Sequence, residues 1–420
     1  MSLLALYRGV TALAAPALRL MLVRRAGRGK EIAARLGERR GIDATLRPPG
    51  RLLWLHAASV GETVSVLPVL SALPGDVAVL MTTGTVTSAA LLARLLPQLG
   101  LADRVRHRFV PLDVPAWTSR FLDHWRPDAA AFVESEIWPN LITGCVARGI
   151  PLALVNARLS ARSHRGWAWV LGLARELFGS FAVVMARAPD DAARLHALGA
   201  PASSFTGNLK YAAPPLAADA AELARLRVLL AGRPVWLAAS THGGEDGNLR
   251  AVHERLAARF AGLLTIIVPR HPERGPEVAA AMAGLTVTRR GAAEDPPEGG
   301  IWVADTLGEL GLFYRLCPIV FVGRSLGAAG GQNPLEPARL GAAVAVGPEV
   351  ANFADVLPGL IAAGAVRQVT NAAGLADFVA AMLDDPAARA AMGAAGVAAS
   401  AALEDLPARV ASVLAGMMTR

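Results

Sequence analysis

Short apolar runs rich in β-branched residues and leucine recur along the chain, and each is trailed by an Ala/Leu/Arg stretch of helical length. The first series is Leu52–His56, Val77–Met81, Ala129–Val133, Leu152–Asn156 and Ala182–Met185. The second is Val235–Ala239, Leu264–Val268, Ile301–Val303, Ile319–Val322 and Ala343–Val346. Strands that are apolar throughout are buried on both faces, so the alternation predicts βαβ units and two parallel sheets. Between the series, Tyr211–Ala218 holds Pro214 and Pro215 and lacks periodicity, which predicts a linker with the boundary near residue 215. The stretch from Pro386 to Met418 is Ala-rich and helical in composition. At 420 residues the chain is too long for one core. The predicted layout is an N-terminal anchor over 1–30, one Rossmann-like domain over 31–213, a second over 220–395 and a C-terminal helix over 396–420.

Apolar residues make up 53% of the chain and charged residues 18%. The charge is placed unevenly. Residues 1–51 carry eleven Arg and Lys against Glu31, Glu38 and Asp43, a surplus of eight that equals the formal charge of the whole chain, +8. Such a basic segment beside an apolar N-terminus suits an anionic membrane surface. Aromatics, at 5%, are not interleaved with basic residues, so no nucleic-acid partner is expected. The longest uncharged N-terminal run, Gly9–Leu18, has ten residues where a spanning helix needs about 20. Arg8 and Arg19, eleven positions apart, would share a face of one continuous helix with Pro16 as its kink, which predicts an interfacial helix followed by Arg24, Arg25, Arg28 and Lys30. A signal peptide is the rival reading, but the positive residues mostly follow the apolar run. Cys145 and Cys317 are the only cysteines, so no disulfide framework or Cys-rich metal site is expected.

Ligands of open α/β sheets bind beyond the carboxyl ends of the strands, and two such sheets predict a cleft between domains. The loops after strands are therefore the candidates for chemistry. After the first strand, Ser59-x-x-Glu62 reads as a capping box that stability alone would explain, or as a carboxylate placed to accept a hydroxyl proton. After Val133, Glu134 and Glu136 would lie on one side if the strand continued. Salt bridges with nearby arginines are the alternative. Thr206-Gly-Asn-Leu-Lys210 carries one of only two lysines in an Arg-rich chain, a compact point charge for a phosphate or a sugar carboxylate. In the second half, Ala238-Ala-Ser-Thr-His-Gly-Gly-Glu245 offers hydroxyls and backbone amides for an anion. Val268-Pro-Arg-His-Pro272 places Arg270 and His271 at the same edge. Gly323-Arg-Ser-Leu-Gly-Ala-Ala-Gly-Gly-Gln-Asn-Pro-Leu-Glu-Pro337 is the most specific stretch. Asn333 would cap a helix with Pro334 at its first position and Glu336 at its third. Capping leaves Gly323, Gly327, Gly330 and Gly331 unexplained, whereas a nucleotide that approaches the backbone closely accounts for them. Metal-ligating patterns such as HExxH are absent, and no metal is expected.

Seven motifs in order, His56-Ala-Ala-Ser-Val-Gly-Glu62, Glu134-Ser-Glu-Ile-Trp-Pro-Asn140, Asn156-Ala-Arg-Leu-Ser160, Gly207-Asn-Leu-Lys210, Ser240-Thr-His242, Val268-Pro-Arg-His271 and Gly330-Gly-Gln-Asn333-Pro-Leu-Glu336-Pro337, span nearly the whole chain. Together they resemble the 3-deoxy-D-manno-octulosonic acid (Kdo) transferase family of lipid A assembly. The resemblance implies an α/β fold of GT-B type, two Rossmann-like parallel-sheet domains facing a central cleft, with an N-terminal membrane-associating helix. It implies inverting transfer of Kdo from CMP-Kdo to a glucosamine hydroxyl of the lipid A precursor, lipid IVA, at the cytoplasmic face of the bacterial inner membrane. CMP-Kdo is a substrate, so no cofactor is implied. Glu62 corresponds to the general base and Glu134 to an essential carboxylate, acceptor-side or supporting. Lys210, Ser240, Thr241, Arg270, His271, Gly331, Asn333 and Glu336 correspond to the donor site. Gln332 stands where some members carry histidine. The competing expectations are another GT-B enzyme, such as a sugar-nucleotide epimerase or a UDP-sugar transferase, and a non-catalytic sugar-nucleotide binder at a membrane.

Overall fold

The computed structural model describes residues 2–204, 207–212, 215–327 and 330–418. Thr206, part of the linker (213–214) and part of the glycine loop (328–329) lie outside the described residues. The chain divides into two compact units, residues 1–213 with 403–420, and residues 214–402.

The first unit begins with α1 (Leu3–Leu13) and α2 (Ala15–Ala26). It continues with β1 (Leu52–His56), α3 (Val60–Ala72), β2 (Ala78–Thr83), α4 (Val86–Gln98), β3 (Val105–Phe109), α5 (Pro115–Trp125), β4 (Ala129–Val133), α6 (Pro139–Val146), β5 (Leu152–Ala157), α7 (Ala161–Ala168), α8 (Leu171–Phe178), β6 (Val183–Ala186) and α9 (Pro189–Ala197). Its six strands are parallel in the order β3-β2-β1-β4-β5-β6, the Rossmann order, so the direction of winding reverses between β1 and β4. Every residue of β1, β4 and β5 is buried because helices cover both faces. Trp54 of β1 packs with ring centroids 4.9 Å from Phe121 and 5.1 Å from Phe132.

The second unit holds α10 (Ala220–Leu229), β7 (Val235–Thr241), α11 (Asp246–Ala257), β8 (Leu264–Pro269), α12 (Gly275–Ala281), β9 (Val287–Arg289), β10 (Gly300–Val303), α13 (Leu310–Leu316), β11 (Ile319–Val322), α14 (Leu335–Ala338), β12 (Ala343–Val346), α15 (Leu357–Ala362), β13 (Val366–Gln368) and α16 (Ala372–Asp384). Seven parallel strands run in the order β13-β12-β11-β7-β8-β10-β9, and the winding reverses between β7 and β11. The core joins Trp236, Ile267 and Phe321 of the sheet to Leu249, Val252 and Val278 of α11 and α12.

Three strands escape the apolar pattern. β3, β9 and β13 are edge strands, and Arg106, Arg108, Arg289 and Arg367 lie on them because an edge faces water. The single C-terminal helix expected over 396–420 is instead two helices, α17 (Pro386–Glu404) and α18 (Leu406–Met417). Asp405 lies at the break and Pro407 stands in the first turn of α18. Leu406, Val410, Ala411 and Leu414 of α18 join Val66 and Leu70 of α3 in the first unit's core.

The N-terminal helix is also divided. α1 and α2 meet at a 55° bend at Ala14, with Pro16 starting the second helix, so Arg8 and Arg19 do not share one continuous helical face. The pair is tied to the body from within. Tyr7 donates its hydroxyl to Asp113 at 2.9 Å, and Leu22 is buried with Val114 and Trp117. The buried carboxyl of Asp113 also accepts from the amides of Asn140 and Leu141 at the start of α6. Leu3, Leu6, Val10, Leu13, Leu20 and Val23 remain exposed. Among the described residues no single helix is long and apolar enough to cross a membrane, although the bent pair has the length and composition together.

Candidate active site

The candidate residues of the first unit gather where its sheet changes winding direction. β1 runs out through Ala57 and Ala58 to Ser59, which caps α3 in extended conformation. Glu62 lies one turn inside that helix. Its carboxylate accepts from the Ala58 amide at 2.8 Å and from the Ser59 hydroxyl at 2.7 Å, while the Glu62 amide returns a 3.4 Å bond to Ser59 Oγ. The capping box is therefore formed, and it holds a half-exposed carboxylate in one orientation beyond the end of β1.

Glu134 follows β4 on the other side of the reversal. β4 stops at Val133, and Glu134 takes φ 59°, a left-handed conformation that is costly without glycine. The turn overturns the expectation that Glu134 and Glu136 share a side. Glu136 instead accepts from Trp138 Nε1 at 2.6 Å and lies 3.4 Å from Nε2 of the buried His56. Burial works against the Glu136 charge, but these contacts bring its carboxyl below the usual range. Glu134 moves the other way. Burial and then the charge of Glu62 raise it, against the pull of Arg158, Arg187 and Lys210. Lys210 is exposed and belongs to this group in the first unit, whereas the other residues assigned to the donor belong to the second.

In the second unit the corresponding edge surrounds a cavity of about 360 Å³ lined by Ser240, Arg270, Tyr314, Gln332, Asn333 and Glu336, with Leu216, Ala217 and the Gly308–Gly311 segment. β7 shifts register between Ala239 and Thr241, which leaves Ser240 at φ 56° in the wall. Arg270 is fixed by its amide bond to the Thr241 carbonyl at 3.0 Å. Burial raises the carboxyl of Glu336, opposed by the Asn333 hydrogen bond and by Arg339 and Arg270. Burial, followed by the Glu336 charge, also pushes the Tyr314 hydroxyl well up, while its bond to Ser240 acts in the opposite sense.

Several assigned residues stand behind this wall or beside it. Thr241 is fully buried. His271 is exposed, its ring 5.8 Å from that of His242, and His242 Nε2 lies 3.1 Å from Gln332 Nε2. Gly331 shapes the loop, with φ 72° and its amide bonded to the Arg324 carbonyl. Asn333 accepts from the Leu335 amide at 3.1 Å and donates to Glu336 at 3.2 Å, but the helix it precedes is a single turn with Pro334 outside it.

Of the amides in the 238–245 stretch expected to hold an anion, that of His242 is taken by a side chain of the same loop. Glu245, fully buried, accepts from the amides of His242, Arg324, Ser325 and Leu326 at 2.8–3.1 Å. It thereby ties the loop after β7 to the glycine loop after β11. Gly323 is required at that junction, because a Cβ there would sit 2.8 Å from both Ser240 O and Thr241 Cα. Sequence reasoning passed over Glu245 and Tyr314. Glu245 reads as an ordinary helix-start acid, and Tyr314 sits in an apolar helical run that looks like core. Among the described residues no three His, Cys, Asp or Glu converge as a metal site would need.

A family model described as 3-deoxy-D-manno-octulosonic-acid transferase (kdotransferase) matches residues 33–213. The chain is 37% identical to the 3-deoxy-D-manno-octulosonic acid transferase of Bordetella pertussis over 415 residues, covering 94% of this chain and 96% of that one. It is 35% identical over 370 residues to the transferase of the same name from Haemophilus influenzae, covering 86% of each. Among solved structures, UDP-GlcNAc 2-epimerase from Neisseria meningitidis superposes with a TM-score of 0.54 at 12% identity, covering 88% of this chain and all of that one, a likeness of fold alone. With two parallel-sheet α/β units of GT-B type and relatives of this similarity along nearly its whole length, the chain belongs to the Kdo transferase family of glycosyltransferases.

Proposed function

We propose that this protein transfers Kdo from CMP-Kdo to a glucosamine hydroxyl of the lipid A precursor, with inversion, at the cytoplasmic face of the bacterial inner membrane. The observation that carries the mechanism is the placement of Glu62 and Glu134 on either side of the first unit's winding reversal, with the Glu62 charge acting on Glu134. Glu62 takes the proton of the attacking hydroxyl. The hydroxyl oxygen forms the new bond to the anomeric carbon as the bond from that carbon to the CMP phosphate breaks, through an oxocarbenium-like state. The electron pair of the broken bond leaves on the phosphate. Glu134 keeps the site's negative charge balanced against its neighbouring cations.

In the second unit, Arg270 supplies positive charge to the donor's anionic groups. Glu336, in the cavity wall, accepts from ribose hydroxyls, and the glycine loop lets the nucleotide approach the backbone. Ser240 and Asn333 complete the polar wall of the cavity. In the first unit, Lys210 is a point charge beside Glu134 for an anionic group of a substrate.

The acceptor is amphipathic and anionic, which matches the exposed apolar residues of α1 and α2 and the basic residues around them. The test is transfer by purified protein from CMP-Kdo generated in situ to tetra-acylated lipid A precursor, read by product mass. Wild type is expected to add whole Kdo units. Glu62→Gln keeps the capping geometry, so it should still bind donor while losing about 10²- to 10⁴-fold in rate. No product from well-folded wild type would remove the Kdo assignment. Full activity in Glu62→Gln would remove the base.

A further inference from the structure

The charges of Arg158, Arg187 and Lys210 act on Glu134, and the backbone that carries these residues is held by bonds that the transfer step itself does not use. β5 shifts register between Val155 and Ala157, which leaves Asn156 as an extra residue at φ 51°. Such a bulge re-aims the side chains that follow it, and a left-handed non-glycine persists only where its surroundings hold it. Here they do. Asn156 Oδ1 accepts from the Leu209 amide at 3.0 Å, next to Lys210, whose own amide bonds to Asn208 Oδ1 at 3.1 Å. The Arg187 amide bonds to the Ala157 carbonyl at 2.9 Å. The Arg158 amide reaches the Glu134 carbonyl at 3.4 Å, and the Ser135 hydroxyl donates to the Arg158 carbonyl at 2.6 Å. Glu134, Arg158, Arg187 and Lys210 are thus presented by one stitched rim.

The cations are not equivalent. Arg187 lies 3.7 Å from Asp191. Arg158 is exposed, and its guanidinium has no hydrogen bond or ion pair among the described residues. Asp191 thus gives Arg187 a carboxylate of its own, whereas no carboxylate pairs with Arg158 among the described residues. A guanidinium on a fixed backbone, exposed and unpaired, is a preformed fork for two oxygens of one anion.

We propose that Arg158 is a specificity residue that binds an anionic oxygen group of a substrate beside Glu134, a carboxylate of the acidic sugar donor or a phosphomonoester of the glycolipid acceptor. The proposal rests on the transfer reaction above. Both sources share the chemistry of a planar or tetrahedral oxyanion, and kinetics with altered substrates separates them.

The experiment measures kcat/KM for wild type, Arg158→Gln and Arg158→Lys with the intact substrate pair, with acceptors lacking either phosphate, and with a CMP-sugar whose carboxylate is amidated. Arg158→Gln should lose about 10- to 100-fold with the intact pair. Arg158→Lys should recover part of that loss. If the anion is an acceptor phosphate, the loss shrinks to within about threefold on the acceptor lacking that phosphate. If it is the donor carboxylate, the loss shrinks only with the amidated donor. The same loss on every substrate, no loss at all, or a lysine variant no better than glutamine would overturn the proposal. An inactive wild type would instead count against the transfer reaction, so the two failures are distinguishable.

Discussion

Glu134 concentrates the residue-scale physics of the first unit, because burial and the nearby Glu62 disfavour its charge while Arg158, Arg187 and Lys210 favour it. The folded state therefore binds this proton more tightly than the unfolded chain does. Between the ordinary carboxylate value and the raised one, the folded protein holds more protons, so stability contributed by this group falls as pH rises through that window. The expected result is that wild type minus Glu134→Gln, measured by urea unfolding at each pH, declines across the window and is flat above it. A difference that rises with pH there would show that the cations dominate. Glu134 was legible in the sequence as an acid after an apolar strand. Its left-handed turn was not, because φ at one residue is set by what the next strand and loop require, here the Val155 carbonyl that takes the Glu134 amide.

At the scale of elements, the same device appears twice. A strand near each winding reversal gains one extra residue, Asn156 in β5 and Ser240 in β7, and the chain beyond it is re-aimed. In the second unit Glu245 then locks the loops after β7 and β11 through four amide bonds. Removing that carboxylate leaves buried amides without partners, each costing about 1–3 kcal/mol. Glu245→Ala is accordingly expected to lower stability by more than about 3 kcal/mol in urea unfolding and to weaken donor binding. Glu245→Gln, which keeps one acceptor oxygen, should cost less. A melt unchanged by Glu245→Ala would mean that the loops are held by other contacts. The sequence showed glycine-rich loops after strands and invited an external anion. That a side chain takes amides of both loops depends on contacts between residues about eighty positions apart, and no local pattern records that.

At the scale of the whole molecule, the basic excess near the N-terminus is thinned by pairing. Arg39 and Arg25 both hold the buried Glu31, Arg35 holds Glu38, Arg47 holds Asp128 and Arg51 holds Asp76. Arg19, Arg24, Arg28 and Lys30 are exposed and without an ion-pair partner among the described residues, alongside exposed Leu13, Leu20 and Val23. These residues are the expected contact with an anionic surface. Binding to vesicles containing anionic lipid should exceed binding to zwitterionic ones and weaken as salt rises. Leu13→Asp with Val23→Asp should reduce vesicle binding about tenfold or more while transfer to detergent-dispersed acceptor persists. Equal binding of the double variant and wild type would exclude this face.

The sequence by itself determined the two parallel sheets, since strands buried on both faces must be apolar throughout and that pattern survives in any single chain. It also marked Glu62, Arg270, Asn333 and Glu336, because loops after such strands are where an open sheet exposes its chemistry. The tertiary structure alone decided the edge strands, whose one solvated side admits arginines, and the division of the terminal helices. It decided too that Glu136 turns to His56, that Glu245 takes one amide of its own loop and three of the glycine loop, and that the Arg158 guanidinium has no hydrogen bond or ion pair among the described residues. Each of these depends on which distant groups compete for one hydrogen bond or one charge, and that competition exists only once the chain is folded.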